Sequence, residues 1–275
     1  MLPLAATNEP PALTKADFER VAANVYRLAG IVLRTGKEDL VESRLNKRLR
    51  AKKIASFREY LDLVDRDPVE LAAMVDALTT NKTAFLREPA HFDLLIDLLK
   101  NTWSSAGQIR IWSSACSTGE EPYTIAMTIL HNLPHLAPRV RILATDLASH
   151  AVARSRAGEY ANESLGGLPP QWLDRYFDKT PSGAFRIKSE VKRMVRFARL
   201  NLLDPWPMRG PFQVIFCRNV MIYFDKPTQL KLAGRFRELL SSDGYLLIGH
   251  SESLGSEGHA LHYVKPAVYR RCKPT

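Results

Sequence analysis

Apolar positions recur at helical spacing through the first third of the chain, and no strand pattern occurs there. Each predicted helix begins at a capping residue or a proline. The predicted helices are Lys15 to about Ala29, about Leu40 to Lys53, a helix opened by the Ser56–Glu59 capping box, and Asp67-Pro68 to about Leu78. We therefore expect an all-α domain over residues 14–78, after a disordered lead over residues 1–13.

After residue 108 the pattern changes to short apolar runs, rich in β-branched residues, that alternate with amphipathic segments. The predicted strands are 109–112, 140–145, 212–217, 245–249 and an edge strand at 268–271, and the predicted helices are 122–130, 149–157 and 227–240. This alternation predicts an α/β domain over residues 108–275 with a mainly parallel, doubly wound sheet. Residues 79–107, with a helix from Pro89 to about Lys100, are predicted to connect the two domains.

The alternation breaks between about residues 158 and 200. A short helix is predicted at 172–177, and residues 184–191 and 194–200 alternate as two strands across a short turn. We therefore expect a small antiparallel β-subdomain inserted into the main sheet.

Polar residues follow the ends of the predicted strands: Glu120, Asp146, Asn219 and His250. Ligands of open α/β sheets bind at the carboxyl ends of the strands, where such side chains converge. The turn at 117–121 has one glycine and two glutamates, whereas phosphate-binding turns are rich in glycine. This polarity favours a cationic or hydroxyl-rich ligand. For each residue taken singly there is an alternative interpretation: Glu120 and Asp146 serve only as helix caps, and His250 is structural.

The composition is that of a soluble globular protein, with 45% hydrophobic and 25% charged residues and no apolar run of the ~20 residues that a membrane span needs. Three isolated cysteines without CxxC spacing argue against a zinc site or a disulfide framework, so no metal and a cytoplasmic location are expected. The net charge of +10 indicates an acidic partner, which could be nucleic acid, an anionic membrane or a protein.

The second predicted helix concentrates this positive charge, because residues 44–58 contain seven cations and no acid. Val41, Leu45 and Leu49 mark its buried stripe. The cations selected as a docking face are Arg44, Lys47, Arg48 and Arg50. A solvated charged face is the alternative, although such faces usually mix both signs. The helix has no interleaved aromatic residues, so stacking on single-stranded nucleic acid is not supported.

Six stretches together resemble the CheR family, the S-adenosylmethionine-dependent methyltransferases that esterify glutamates of bacterial chemotaxis receptors. They are TTNKTAFLRE (79–88), STGEEPY (117–123), ATD (144–146), NLLD (201–204), CRNVMIYFDK (217–226) and GHSE (249–252), in the order of the family. The resemblance implies a helical domain followed by a Rossmann-like class I methyltransferase domain with an inserted β-subdomain. It also implies the cofactor contacts, which are Asn81, Thr83, Arg87, Glu120, Asp146, Asn201, Leu202, Asn219 and Val220.

The resemblance further implies the reaction and the partner. The products would be glutamate methyl esters and S-adenosylhomocysteine, and the basic helix would meet the cytoplasmic helices of receptors in membrane-bound clusters. No catalytic base is expected, and His250 and Tyr223 are pocket candidates only. The loop KTPSGAFR (179–186) is short with one glycine, which favours a family member that works without a receptor C-terminal pentapeptide tether. A monomer is expected. A nucleic-acid methyltransferase is the alternative, but no base-pocket motif such as NPPY is present.

Overall fold

The computed structural model describes residues 11–255 and 258–271, so residues 1–10 of the predicted lead lie outside the described residues. The chain divides into two compact units, Met1–Thr80 and Asn81–Thr275. The segment predicted as a connector therefore groups with the second unit from Asn81 onward. None of the described helices has the length and apolar character needed to cross a bilayer.

The described part of the first unit is all-helical, as predicted. Its helices are α1 (Lys15–Ala29), α2 (Glu38–Lys52), α3 (Phe57–Arg66) and α4 (Pro68–Leu78). The sequence signals account for the boundaries: Thr14 and Asp17 form a reciprocal capping box, and Gly30 ends α1 at φ 66°. The predicted stripe of α2 is confirmed, because Val41, Leu45 and Leu49 are at most 1% exposed.

The second unit alternates helices and strands. The helices are α5 (Ala90–Asn101), α6 (Glu120–Asn132), α7 (Ser149–Ala157), α8 (Pro170–Tyr176), α9 (Ser189–Lys192) and α10 (Lys226–Leu239). The strands are β1 (Ile109–Ser113), β2 (Val140–Asp146), β3 (Glu159–Tyr160), β4 (Phe177–Lys179), β5 (Phe185–Ile187), β6 (Val195–Arg199), β7 (Phe212–Cys217), β8 (Leu240–Ile248), β9 (Leu261–Lys265) and β10 (Val268–Arg271).

The described strands form a main sheet in the order β6-β2-β1-β7-β8-β10-β9. The first five strands in this order, from β6 through β2, β1 and β7 to β8, run parallel to one another. At the other edge β10 pairs antiparallel with β8, and β9 pairs antiparallel with β10. The predicted doubly wound α/β sheet is therefore confirmed. Chain order reverses at β1, since β2 lies on one side and β7 on the other, and the carboxyl ends at this switch point are where a ligand is expected.

The prediction of two antiparallel strands over 184–191 and 194–200 is wrong. Only β5 forms from the first segment, and the short helix α9 follows it. The second segment forms β6, which runs parallel to β2 in the main sheet with Val195 opposite Ile142. The small antiparallel sheet instead has the order β3-β5-β4. Because β6 is an edge strand with one half-exposed face, it alternates apolar and polar residues as a solvated antiparallel strand does.

Candidate cofactor-binding site

In the turn between β1 and α6 the backbone lies very close to neighbouring side chains. Ser117 and Gly119 both have positive φ, at 49° and 100°. A Cβ at Gly119 would lie 2.8 Å from Cβ of Ser155 and 2.9 Å from Oη of Tyr160. The Tyr160 hydroxyl donates to the Thr118 carbonyl at 2.8 Å and so fixes the turn from the side of the small sheet. Only glycine combines this conformation with this packing.

Glu120 begins α6 and is a buried residue, 6% exposed. The Thr118 hydroxyl donates to it, 2.7 Å from Oε2 and 2.9 Å from Oε1. Burial raises the pKa of Glu120, and that hydroxyl only partly opposes the rise. An ionised carboxylate accepts about four hydrogen bonds, and a hydroxyl supplies a single proton. A ligand with hydroxyl or ammonium donors therefore fits this position.

Asp146 ends β2 and ties three segments together. Its Oδ2 accepts the Ser117 amide at 2.7 Å, and its Oδ1 accepts the Ala148 amide at 2.9 Å, just before α7. Ser117 in turn donates from Oγ to the Asn81 carbonyl at 3.0 Å. Nδ2 of Asn81 lies 3.1 Å from Nε2 of His150. The structure thus brings Asn81, the turn and Asp146 together.

Two further predicted contacts lie close to Asn81 in sequence. Thr83 is half-buried in the same coil segment. Arg87 donates from Nη1 to the Lys82 carbonyl at 3.0 Å, so its guanidinium folds back along its own segment. The structure thus places all three predicted residues of this stretch in one coil before α5.

Asn201 and Leu202 follow β6. The Leu200 amide donates to the Asp146 carbonyl at 2.9 Å, which holds this segment beside the end of β2. The side chain of Asn201 accepts the Leu203 amide at 3.1 Å, the turn contact typical of asparagine. Leu202 is buried. Both residues therefore lie at the predicted edge of the sheet, beside Asp146.

A buried ionic cluster behind the turn is absent from the sequence predictions. Arg218, 5% exposed, donates to Glu88 and to Glu121, with each Nη–Oε2 distance 3.0 Å, and to the Arg87 carbonyl. Glu121 also accepts the Ser113 hydroxyl at 2.7 Å. Burial nevertheless raises the pKa of Glu121 despite Arg218. The partners lie 97 and 130 residues apart, so no local pattern reveals them. The available sequence signal is the position of Arg218, a charged residue directly after the apolar run that forms β7.

Asn219 stands at φ 58°, a left-handed conformation. Its side-chain amide donates to Glu88 Oε1 at 3.1 Å, and its backbone amide donates to Glu252 Oε2 at 2.9 Å. Burial opposes ionisation of Glu88, but Asn219 and Arg218 outweigh it and hold the pKa of Glu88 below its ordinary value. Val220 and half-buried Tyr223 follow at the same end of β7.

His250, after β8, is exposed and packs edge-to-face on the buried His91, with ring centroids 4.8 Å apart. Burial, with Arg218 nearby, lowers the pKa of His91 to about 4, so this ring is neutral at pH 7. Glu88, His91 and His250 lie close enough to share a metal ion. Both Glu88 oxygens, however, already accept protein donors from Arg218 and Asn219. We therefore assign no metal here.

The four predicted docking cations of helix α2 are of two kinds, those with partners inside the first unit and those that are exposed. Arg44 donates from Nη1 to the Leu78 and Thr79 carbonyls at 2.8 Å each, at the end of α4. Arg48 pairs with the buried Glu70. The other two predicted docking residues, Lys47 and Arg50, are exposed. Two of the four selected cations thus have partners inside the first unit.

Family comparison covers both units. Residues 16–79 match the model described as CheR methyltransferase, all-alpha domain, and residues 81–269 match CheR methyltransferase, SAM binding domain. The chain belongs to the CheR methyltransferase family. The second unit of this CheR chain is accordingly an S-adenosylmethionine-binding domain. The acceptor oxygens of Glu120 fit that cofactor, which carries an ammonium, a sulfonium and ribose hydroxyls.

Curated relatives resemble this CheR chain along nearly its whole length. Chemotaxis protein methyltransferase 2 of Pseudomonas aeruginosa is 43% identical over 260 residues, covering 93% of each chain. Chemotaxis protein methyltransferase of Escherichia coli is 44% identical over 248 residues, covering 88% of this chain and 86% of the relative. The Borreliella burgdorferi protein of that name is 38% identical over 270 residues, covering 94% and 95%.

Proposed function

We propose that this protein transfers a methyl group from S-adenosylmethionine to glutamate carboxylates of chemotaxis receptors, giving methyl esters and S-adenosylhomocysteine. The observation that carries the proposal is that both CheR domains match, in order, over residues 16–269, with chemotaxis methyltransferases as relatives. The acid-bearing turn after β1 supports it, because a cofactor without phosphate needs carboxylates rather than a glycine-rich cradle.

The proposed cofactor contacts come from the carboxyl ends of β1, β2, β6 and β7 and from the coil before α5. Glu120 and Asp146 offer carboxylates to hydroxyl and ammonium groups. The other proposed contacts are Asn81, Thr83, Arg87, Asn201, Leu202, Asn219 and Val220. Arg87 is the cation of this set and is a candidate for holding a carboxylate of the ligand.

The proposed chemistry needs orientation more than proton transfer. The cofactor would supply a methyl group bound to a sulfonium sulfur. When the carboxylate oxygen takes this methyl group, the sulfur leaves as the neutral thioether of S-adenosylhomocysteine. The substrate glutamate, with an unperturbed pKa of about 4.3, is already ionised at pH 7, so no general base is required. The protein has to align the carboxylate oxygen with the methyl carbon and exclude water. Such positioning contributes on the order of 7–11 kcal/mol. The rigid cluster around Arg218 suits this role because buried groups with several partners move little.

The proposed partner is the acidic helical region of a receptor, bound through α2. Lys47 and Arg50 supply the contact, since both are exposed, whereas Arg44 and Arg48 support the first unit itself. We further propose that the protein acts as a monomer at receptor clusters, in the cytoplasm and without inserting into the membrane. The β4–β5 hairpin closes tightly, with the Thr180 amide donating to the Ala184 carbonyl at 2.8 Å. A compact hairpin favours activity without a pentapeptide tether, and calorimetry with the pentapeptide would test this point.

The deciding experiment uses S-adenosylmethionine labelled in its methyl group, with a receptor cytoplasmic fragment and tRNA as parallel substrates. Mild base releases methanol from carboxyl methyl esters but leaves N-methyl groups in place. Volatile label from the receptor fragment is the expected result. Base-stable label, or label on tRNA alone, would refute the receptor as substrate and favour the nucleic-acid alternative.

A further inference from the structure

Glu252, within the stretch GHSE, is a buried carboxylate that is not itself one of the proposed cofactor contacts. It is 8% exposed, and its acceptors meet three backbone amides from two separate loops. Oε2 accepts the Gly249 amide at 2.6 Å and the Asn219 amide at 2.9 Å, and Oε1 accepts the Ile222 amide at 3.2 Å. Among the residues that the structure describes, Glu252 forms no ion pair, and its backbone amide donors partly oppose the rise in its pKa that burial causes.

These amides lie where β7 and β8 end. Cys217 and Ile248 are register partners in the two parallel strands, so the loops that follow leave the sheet side by side. No ladder hydrogen bond can join them beyond that point, and the Glu252 carboxylate takes over this task. Burying a carboxylate is unfavourable unless donors surround it, which makes this a specific arrangement rather than a chance contact.

Gly249 and Asn219 are adapted to this arrangement. A Cβ at Gly249 would lie 2.5 Å from Nδ2 of Asn219 and 2.9 Å from Oε2 of Glu252, so any side chain there would displace both. Asn219 has the left-handed φ of 58°, a conformation that asparagine adopts more readily than other non-glycine residues. Its backbone is fixed by Glu252 and its side chain by Glu88.

We infer that Glu252 is a positioning residue of the cofactor site, which acts by holding the backbone of Asn219, and with it Val220, in the conformation that the cofactor meets. This inference rests on the proposed contacts Asn219 and Val220. Glu252→Gln tests it without changing side-chain size. One oxygen becomes an NH₂ group, which faces backbone amides and cannot accept their hydrogen bonds.

The experiment measures S-adenosylhomocysteine binding by calorimetry on the full chain for wild type, Glu252→Gln, Asn219→Ala and Trp103→Phe. The last is a matched control, because it removes the bond from the Trp103 indole to Asp243 in the same unit, beside the beginning of β7 and not at its carboxyl end. We expect Glu252→Gln to weaken binding at least about tenfold, with kcat at saturating S-adenosylmethionine within about threefold of wild type. Hydrogen exchange should rise in residues 217–224 for Glu252→Gln and not for Trp103→Phe.

Binding by Glu252→Gln within about twofold of wild type would overturn the inference, as would equal weakening in Trp103→Phe at the same loss of Tm. Asn219→Ala retains the backbone amide that Glu252 accepts, so a rise in hydrogen exchange at 217–224 in this variant equal to that in Glu252→Gln would overturn the assignment of this positioning role to Glu252. Failure of the wild type to bind S-adenosylhomocysteine would instead refute the proposed site. In that case, unchanged hydrogen exchange at residues 217–224 in Glu252→Gln would separately refute the inference that Glu252 holds the backbone of Asn219.

Discussion

Arg48 donates three hydrogen bonds to the carboxylate of Glu70, from Nε to Oε1 at 3.0 Å and from Nη2 to both oxygens at 2.8 Å. Lys52 and the Tyr60 hydroxyl complete the shell at 2.9 and 2.8 Å. Burial disfavours the Glu70 anion, but Arg48, Lys52 and Tyr60 outweigh it and lower its pKa. Part of the basic charge of α2 therefore stabilises the first unit and does not serve a partner.

Replacing Glu70 with Gln should destabilise the first unit by about 2–3 kcal/mol. Removing one partner of a fully buried pair typically costs about 3–5 kcal/mol, and Arg48 retains 30% side-chain exposure, which reduces the loss. Urea unfolding followed by circular dichroism measures it. Glu19→Gln is the control, since Glu19 forms only an exposed pair with Lys15. A loss below about 0.5 kcal/mol would contradict this account.

The same pair predicts a pH dependence. Because the folded pKa of Glu70 lies below its ordinary value of 4.5, its contribution is complete above that value and is lost as pH falls through the folded pKa. The stability difference between wild type and Glu70→Gln should therefore be constant near neutral pH and shrink below about pH 4.5. A difference that stays constant on acidification would show that Glu70 does not act as an anion.

Charge reversal at the exposed cations should impair receptor methylation selectively. Lys47→Glu with Arg50→Glu is expected to raise KM for the receptor fragment at least about tenfold, more at low than at high salt, because exposed charges are screened. Calorimetric binding of S-adenosylhomocysteine should not change. The comparison variant Arg48→Gln should lower Tm instead. Wild-type KM in the double variant would exclude this face as the docking surface.

Adding one methyl group to the turn after β1 should damage the cofactor site. Gly119→Ala places a Cβ within 2.8 Å of Ser155 at φ 100°, so the turn must shift, and binding of S-adenosylhomocysteine should weaken at least about tenfold. Gly234→Ala provides the contrast, because a Cβ in that part of α10 meets nothing within 4 Å. It should raise stability by about 0.5–1 kcal/mol and leave binding unchanged. Equal binding by both variants would contradict the proposed role of the turn.

His250→Ala should reduce kcat less than tenfold, which corresponds to about 1.4 kcal/mol. The side chain is exposed and contacts the neutral His91 ring, and the proposed reaction needs no base. Steady-state methylation assays with saturating cofactor measure the effect. A much larger loss of kcat with normal cofactor binding would reveal a catalytic role for this imidazole.

Local signals allowed the sequence to predict most elements. Thr14 and Pro68 mark helix starts by capping and by fixed φ, and the run at 212–217 is too apolar to lie outside a sheet. The four-residue helix α9 and the exposed strand β9 lack such signals, since one is too short for periodicity and the other is largely solvated. The polar residues at strand ends were identified from topology alone. The acidic partners of Arg218, and the Asn219 and Ile222 amides that bond to Glu252, lie at least 30 residues away in sequence.

The two ends of the segment that forms the small antiparallel sheet lie next to each other in space. This segment lies between α7 and β6, and the Ile187 amide donates to the Gly158 carbonyl at 2.9 Å, so the residues that bound it are hydrogen-bonded neighbours. The connection between β2 and β6 thus contains the small sheet as an insertion, and a backbone hydrogen bond joins the residues at the two ends of this insertion. The β4–β5 hairpin can therefore change in length while the parallel strands β2 and β6 keep their register.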